Sequence, residues 1–143
     1  MEIRVQEGVF DPWKELAVWQ DRIAMSGKCG ATGVFVGTLR DFNDGQVVKG
    51  LTLEHYPGMT EKHLEKVCED AGTRWQLLDT LVIHRHGPIH TGDPIVLVAT
   101  WAAHRRDALE ACRYIIDELK TRAPFWKKET LADNGMRWVD PGS

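Results

Sequence analysis

From about Arg105 to Arg122 the apolar residues Ala108, Leu109, Cys112, Ile115, Ile116 and Leu119 recur at three-four spacing. That pattern predicts a long amphipathic helix with one face committed to a core. The apolar run IVLVATWA (95–102) reads as a strand feeding into it through His104, and Pro124 stops it. FWKKETL then reads as a further strand. The stretch from His104 to Glu129 carries seven Lys/Arg against five Asp/Glu, a net +2 in a chain whose total is −3. Positive charge gathered locally in an otherwise acidic chain points to an anionic ligand; a nucleic-acid surface usually needs a basic domain.

The remaining chain supplies strands and two shorter helices. Residues 2–6 alternate as a strand. Asp11 and Pro12 give an N-cap and a first-turn proline. Trp13, Leu16, Ala17, Ile23 and Ala24 follow helical spacing, with Gly27 as the stop. Residues 30–40 form a strand in which Gly33 and Gly37 allow close backbone approach. It delivers Arg40 to a polar loop, 41–46, carrying an Asp-Gly turn signal. Residues 47–56 return as its hairpin partner. A helix from Thr60 to near Gly72 turns Leu64, Val67, Cys68 and Ala71 inward. Residues 80–86 are a strand, GPIHTGD is a turn-rich connection, and MRWVD is a short terminal strand. The alternation implies an α+β fold, largely antiparallel, in one domain spanning 1–143.

The totals narrow the class. At 143 residues the chain can bury a core without disulfides or metal. No apolar run approaches the roughly 18 residues of a membrane span, and the N-terminus lacks the apolar segment of a signal peptide. Three scattered cysteines, Cys29, Cys68 and Cys112, fit a reducing cytoplasm and read as small buried hydrophobes.

Several groups could carry chemistry. Lys120 at the helix end and Lys127 on the next strand can approach each other across the proline turn. Clustered cations lower a lysine's pKa, which suits a base or nucleophile; two solvated lysines, one favouring a helix C-terminus, are the plain alternative. His104 and Arg105 at a strand-to-helix junction suit phosphate or carboxylate, or are a capping histidine and a surface arginine. Arg40 either clamps an anion or pairs with Asp41 or Asp44. His84 and His86 share a strand face, with His90 nearby, but no carboxylate or cysteine completes a metal set. No P-loop, dinucleotide fingerprint or nucleophile elbow occurs. His104 and Lys120 lie 16 residues apart on one helix, which separates them by roughly 24 Å. They serve one small pocket only if a second copy of the chain supplies the other half.

The segments GATGVFVGTLRD, LTLEHYPGM, VIHRHGPIHTGD, the strand into HRRDA, and DELKTRAPFWKKE stand in an order and spacing that resembles the large, catalytic subunit family of molybdopterin synthase, from about residue 3 to residue 139. The motif K-x-x-x-P-x-W-K-K-E is its most specific part. The resemblance implies an α/β hammerhead fold with an additional antiparallel sheet. It implies a sulfurtransferase that converts cyclic pyranopterin monophosphate to molybdopterin, with no resident cofactor or metal. The sulfur donor is the C-terminal Gly-Gly thiocarboxylate of a small ubiquitin-like partner, in a heterotetramer built on a homodimer of large subunits. By the same match Lys120 and Lys127 are catalytic. Lys120 would meet the partner's terminal glycine, and Lys127 would move a proton or hold the pterin intermediate. His104 and Arg105 would bind substrate phosphate from the neighbouring subunit. Thr38, Leu39 and Arg40 would line the same pocket, and Lys128 and Glu129 complete the motif, Glu129 paired with a cation. The chain ends soon after Arg137-Trp138-Val139, where many members continue with a basic residue; Arg137 is the candidate to replace it. The alternatives are a non-catalytic scaffold for a ubiquitin-like protein and an unrelated anion-binding enzyme.

Overall fold

The computed structural model describes residues 1–24, 26–43, 45–122, 125–132 and 135–139. In chain order the elements are β1 (Glu2–Gln6), α1 (Pro12–Ala24), β2 (Ala31–Thr38), β3 (Phe42–Asn43), β4 (Gln46–His55), α2 (Met59–Arg74), β5 (Leu77–Arg85), β6 (Gly87–His90), β7 (Pro94–Ala102), α3 (Arg105–Arg122), β8 (Phe125–Leu131) and β9 (Met136–Val139). They form two sheets, and the fold is α+β. One sheet has the order β1-β5-β7-β2, parallel only between β1 and β5. The other runs β3-β4-β8-β9, with β6 also paired to β4.

The central strands β5 and β7 are buried on both faces, which is why β7 reads as a continuous apolar run. Leu81, Ile83, Leu97, Ala99 and Trp101 face α1, where Leu16, Trp19 and Ile23 meet them. Val82, Val96 and Val98 point the other way, into a core with Leu64, Val67 and Cys68 of α2 and Cys112, Ile115 and Ile116 of α3. Leu51 and Leu53 of β4 and Phe125 of β8 close that core from the second sheet. The period of two along β5 and β7 thus sorts side chains between two helical layers.

Local chemistry sets the element ends. The Asp11 carboxylate accepts from the backbone N–H of Trp13 and Lys14, at 3.0 and 3.3 Å, and so caps α1. Gly27, at φ 69°, turns the chain out of that helix. In α2, Glu61 reaches back to the Gly58 N–H, and the helix continues past Gly72 to Arg74. Helix α3 lies close on β2: a Cβ at Gly33 would stand 2.5 Å from the Ala108 carbonyl oxygen, and one at Gly30 would stand 2.1 Å from that of Ala103. Thr100 Oγ1 donates to the same Ala108 carbonyl at 2.7 Å and fixes the helix start to β7.

Five expectations need correction. Residues 47–56 are not the hairpin partner of residues 30–40: β2 pairs with β7, where Gly30 and Gly33 let it lie under the start of α3, and β4 pairs with β8 in the other sheet. The connection GPIHTGD contains the short strand β6, because Ile89 is buried against the core and residues 50–53 of β4 offer an edge to pair with. The loop 41–46 holds β3, which folds onto the start of β4 around Gly45 at φ 76°; Asp44 lies outside the described residues. On α1, Trp13 and Ala17 are exposed and Trp19 takes the inward position, since the face toward Trp101 runs through Leu16, Trp19 and Ile23. On α3, Leu109 is 61% exposed and Ala111 is buried in its stead. There the apolar stripe is centred one position from the spacing assumed.

Candidate functional site

Lys120 stands on the last turn of α3, and Lys127 on β8 opposite Leu53 of β4. Both line one recess at the meeting of α3 with the two sheets. Leu51, Leu53, Val96, Ile116 and Phe125 form its apolar wall, and His84 of β5 joins them. Neither lysine is fully exposed, although an exposed long side chain is the ordinary fate of lysine. Burial is the main cause of the low pKa of each. Lys127 is pushed down to about 8, further lowered by the positive charge of Lys120 and partly restored by Glu129. Lys120 is shifted down by burial and by the Arg40 guanidinium. Lys120 and Lys127 are therefore neighbouring cations at a partly dry site, with the exposed Arg40 acting on Lys120 from outside it. Such a group carries one amine in its neutral form far more often than free lysines do, and it attracts anions strongly.

The supports of this group come from both sheets. Glu129 is buried at 3% exposure, and Arg137 of β9 donates to it from Nε at 2.9 Å. The expected cation partner of Glu129 is thus Arg137, so that side chain is engaged within the sheet. Leu39 is buried, and its backbone is held at both ends: its N–H donates to the Asp93 carbonyl at 3.0 Å, and its own carbonyl accepts from Gly92 N–H at 2.9 Å. That pair of bonds anchors the exit of β2, from which Arg40 projects. Thr38 and Arg40 are exposed.

Other predicted site residues lie elsewhere. Along β8, Phe125, Lys127 and Glu129 share one face, so Lys128 lies on the opposite one, its ammonium 5.4 Å from the Trp138 ring. His104 and Arg105 are exposed at the opposite end of α3 from Lys120. The chain alone does not bring them to the recess. The proline turn between Lys120 and Lys127 lies outside the described residues.

The histidines resolve differently from a metal pair. His84 stacks on Phe125, with centroids 3.9 Å apart, and His86 lies tilted against His55 at 4.1 Å. Among the described residues no three His, Cys, Asp or Glu side chains are grouped to hold a metal ion. What the sequence reading missed is that His84 belongs with the lysines. The alternation of VIHRH was the available signal, since it puts His84 on the face of Val82, toward α3.

The family model described as MoaE protein matches residues 10–122. The molybdopterin synthase catalytic subunit of Pseudomonas aeruginosa is 52% identical over 98% of this chain and 91% of its own. The chain belongs to the MoaE family. The family model stops at Arg122, before β8, so the Lys127–Glu129 half of the site is reached by relatives aligned over nearly the whole length. Among solved MoaE structures, the molybdopterin biosynthesis MoaE protein of Burkholderia ambifaria is 50% identical, covers 99% of this chain and 90% of its own, and superimposes with a TM-score of 0.80. A more distant structure, the protein–protein complex of subunits 1 and 2 of molybdopterin-converting factor from Helicobacter pylori, is 25% identical, with a TM-score of 0.79 over 96% of this chain and 89% of that one. MoaE membership accounts for the hammerhead-type arrangement with its second antiparallel sheet.

Proposed function

We propose that this chain is the catalytic, large subunit of a molybdopterin synthase: a sulfurtransferase that converts cyclic pyranopterin monophosphate to molybdopterin with sulfur from the C-terminal thiocarboxylate of a small ubiquitin-like partner. The observation that carries it is the half-buried pair Lys120 and Lys127 at one recess, with the Arg40 guanidinium near enough to act on Lys120. The H. pylori relative is a complex of two different subunits, which supports a partner docked here as well.

In this reading the sulfur nucleophile arrives on the partner, so the site needs no cysteine of its own. Its work is electrostatic and positional. Lys120 meets the carbonyl of the partner's terminal glycine, in a recess whose apolar wall suits an extended, side-chain-free tail. Lys127, whose pKa near 8 leaves a useful neutral fraction at pH 7, takes or returns a proton or holds the pterin intermediate. Arg40, with Thr38 and Leu39, lines the substrate side. His104 and Arg105 of a second copy take the substrate phosphate, with the α3 start providing free N–H groups. Glu129, tied to Arg137, fixes β8 beneath Lys127, and Lys128 contacts substrate or partner from the outer face. The assembly is a homodimer of large subunits with a small subunit at each end. The compartment is the cytoplasm, consistent with three free cysteines, of which Cys68 and Cys112 are buried with thiol pKa values pushed up to about 12 and about 11.

The test is an anaerobic assay with the pterin precursor and the thiocarboxylated partner, run on wild type and Lys120→Ala. Product should form only with both reagents present, and the variant should lose it while keeping fold and dimer. Near-normal turnover by the variant would remove Lys120 from the mechanism; partner binding with no turnover in the wild type would make the chain a scaffold.

A further inference from the structure

His84 is a buried imidazole beside the two lysines, and the scheme above gives it no part. It lies at the end of β5, paired across to Val96 of β7, and it lines the same recess as Lys120 and Lys127. Two contacts fix its ring. One face stacks on Phe125, with centroids 3.9 Å apart and planes 16° from parallel. Nδ1 lies 2.7 Å from the Arg85 carbonyl oxygen. A carbonyl only accepts, so Nδ1 carries the hydrogen, and in a neutral ring the lone pair falls on Nε2.

We propose that His84 is a positioning residue for the lysine pair: its Nε2 accepts an N–H from one of the two amines and so aims that amine into the recess. The arrangement suits this. Phe125 and Lys127 share a face of β8, two residues apart, so the stack that holds the imidazole and the strand that holds the amine are one rigid piece. Neutrality is enforced by the surroundings: burial first, then the positive charges of Lys120 on α3, Lys127 on β8 and His55 on β4, keep the ring's pKa near 3 despite its bond to the Arg85 carbonyl. His86 faces His55 rather than the lysines, while Arg40 and Glu129 act on the lysines themselves. A group so hard to protonate is a poor base, which leaves acceptance of a hydrogen bond as its chemistry.

The inference rests on the lysine pair being the reacting centre, and its test contains a readout that needs no turnover. Three variants separate the ring nitrogens. His84→Phe keeps the stack and removes both. His84→Gln places an acceptor where Nε2 stands, and His84→Asn only where Nδ1 stands. The amine titrations of Lys120 and Lys127 are followed by competitive labelling with acetic anhydride and mass spectrometry, and kcat and KM are taken across pH. Loss of an acceptor from an ammonium disfavours the charged form, so at least one lysine should titrate lower in the Phe and Asn variants and at its wild-type position in Gln. In Phe and Asn, kcat should fall roughly ten- to a hundredfold, as for loss of a hydrogen bond to a charged group, with KM for the pterin within about twofold. Gln should recover most of it. A purely structural histidine would instead admit water on removal and raise the lysine titration. That result, unmoved titrations, Gln no better than Asn, or shifted titrations with unchanged kcat, would each overturn the proposal. Where the Phe variant fails to fold, the Gln and Asn pair decides alone. Titrations that move as expected in a protein with no sulfur-transfer activity would keep His84 in this role and reject the proposed function.

Discussion

Replacing Lys127 by Met should stabilise the protein while disabling it. A lysine whose pKa falls from 10.5 to about 8 on folding has its charged form disfavoured by roughly 3 kcal/mol, at about 1.4 kcal/mol per tenfold change. The side chain is only half-buried, and solvent screening reduces that cost to roughly 1–2 kcal/mol. Its pH dependence has a definite sign. Between pH 8 and 10.5 the unfolded chain holds a proton on this amine that the folded chain has released, so wild-type stability rises with pH in that window. Below about pH 8 the full cost is present; above 10.5 it is gone. Lys127→Met removes it everywhere, since Met fits the apolar wall and never ionises. The melting temperature of the variant should exceed wild type by roughly 3–6 °C at pH 7, and the margin should shrink toward pH 10.5. Any packing gain from the thioether does not depend on pH and survives as a constant offset. Thermal unfolding by circular dichroism at half-unit pH steps, with both proteins in the same buffers, reads the difference directly. A variant no more stable than wild type at pH 7, or a margin constant to pH 10.5, would refute the claim that the fold holds this ammonium at a cost. Gained stability with lost turnover is the pattern expected of a residue retained for function.

Other outcomes follow from the same geometry. Mixing inactive Lys120→Ala and His104→Ala proteins after exchange of subunits should restore about a quarter of wild-type activity, because half the dimers are mixed and each holds one intact composite site; no recovery would place His104 and Lys120 in separate functions. Gly33→Ala should cost roughly 1–3 kcal/mol in urea unfolding, since its Cβ would meet the Ala108 carbonyl at 2.5 Å and Thr100 Oγ1 at 2.8 Å; an unchanged midpoint would show that α3 yields freely. Ile115→Ala, at a position with 0% exposure, should lose roughly 2–5 kcal/mol, measured the same way.

The sequence made some of this architecture legible and hid the rest for physical reasons. Three-four spacing identified α2 and α3, because each buries a regular face, and an unbroken apolar run identified β7, because it is buried on both. The phase of α1 was misread because Trp13, a large apolar residue, is exposed on it, and spacing cannot tell an inward tryptophan from an outward one. Strand β6 was hidden by its own composition: Gly87 and Pro88 are turn residues, and only the offered edge of β4 makes a strand of them. At the site, the motif and the proline turn led to the Lys120–Lys127 pairing, and helix arithmetic separated it from His104. His84 escaped because its neighbours, Phe125 and the two lysines, lie more than 30 positions away in the chain. Local spacing carries no record of such contacts.

The tight seat of α3 on β2 has a consequence for how chains of this kind can change length. With Gly30 and Gly33 pressed against the carbonyls of Ala103 and Ala108, the helix start cannot slide. One residue inserted between Ala108 and Lys120 would swing everything beyond it by about 100° and advance it by about 1.5 Å, turning the amine out of its recess. Insertions and deletions should therefore collect in the segment after Arg40, while β2, the junction from Ala103 to Ala108 and α3 as far as Lys120 change by substitution alone. The helix acts as a gauge block: its count of residues is the one dimension of the site that evolution cannot adjust in small steps.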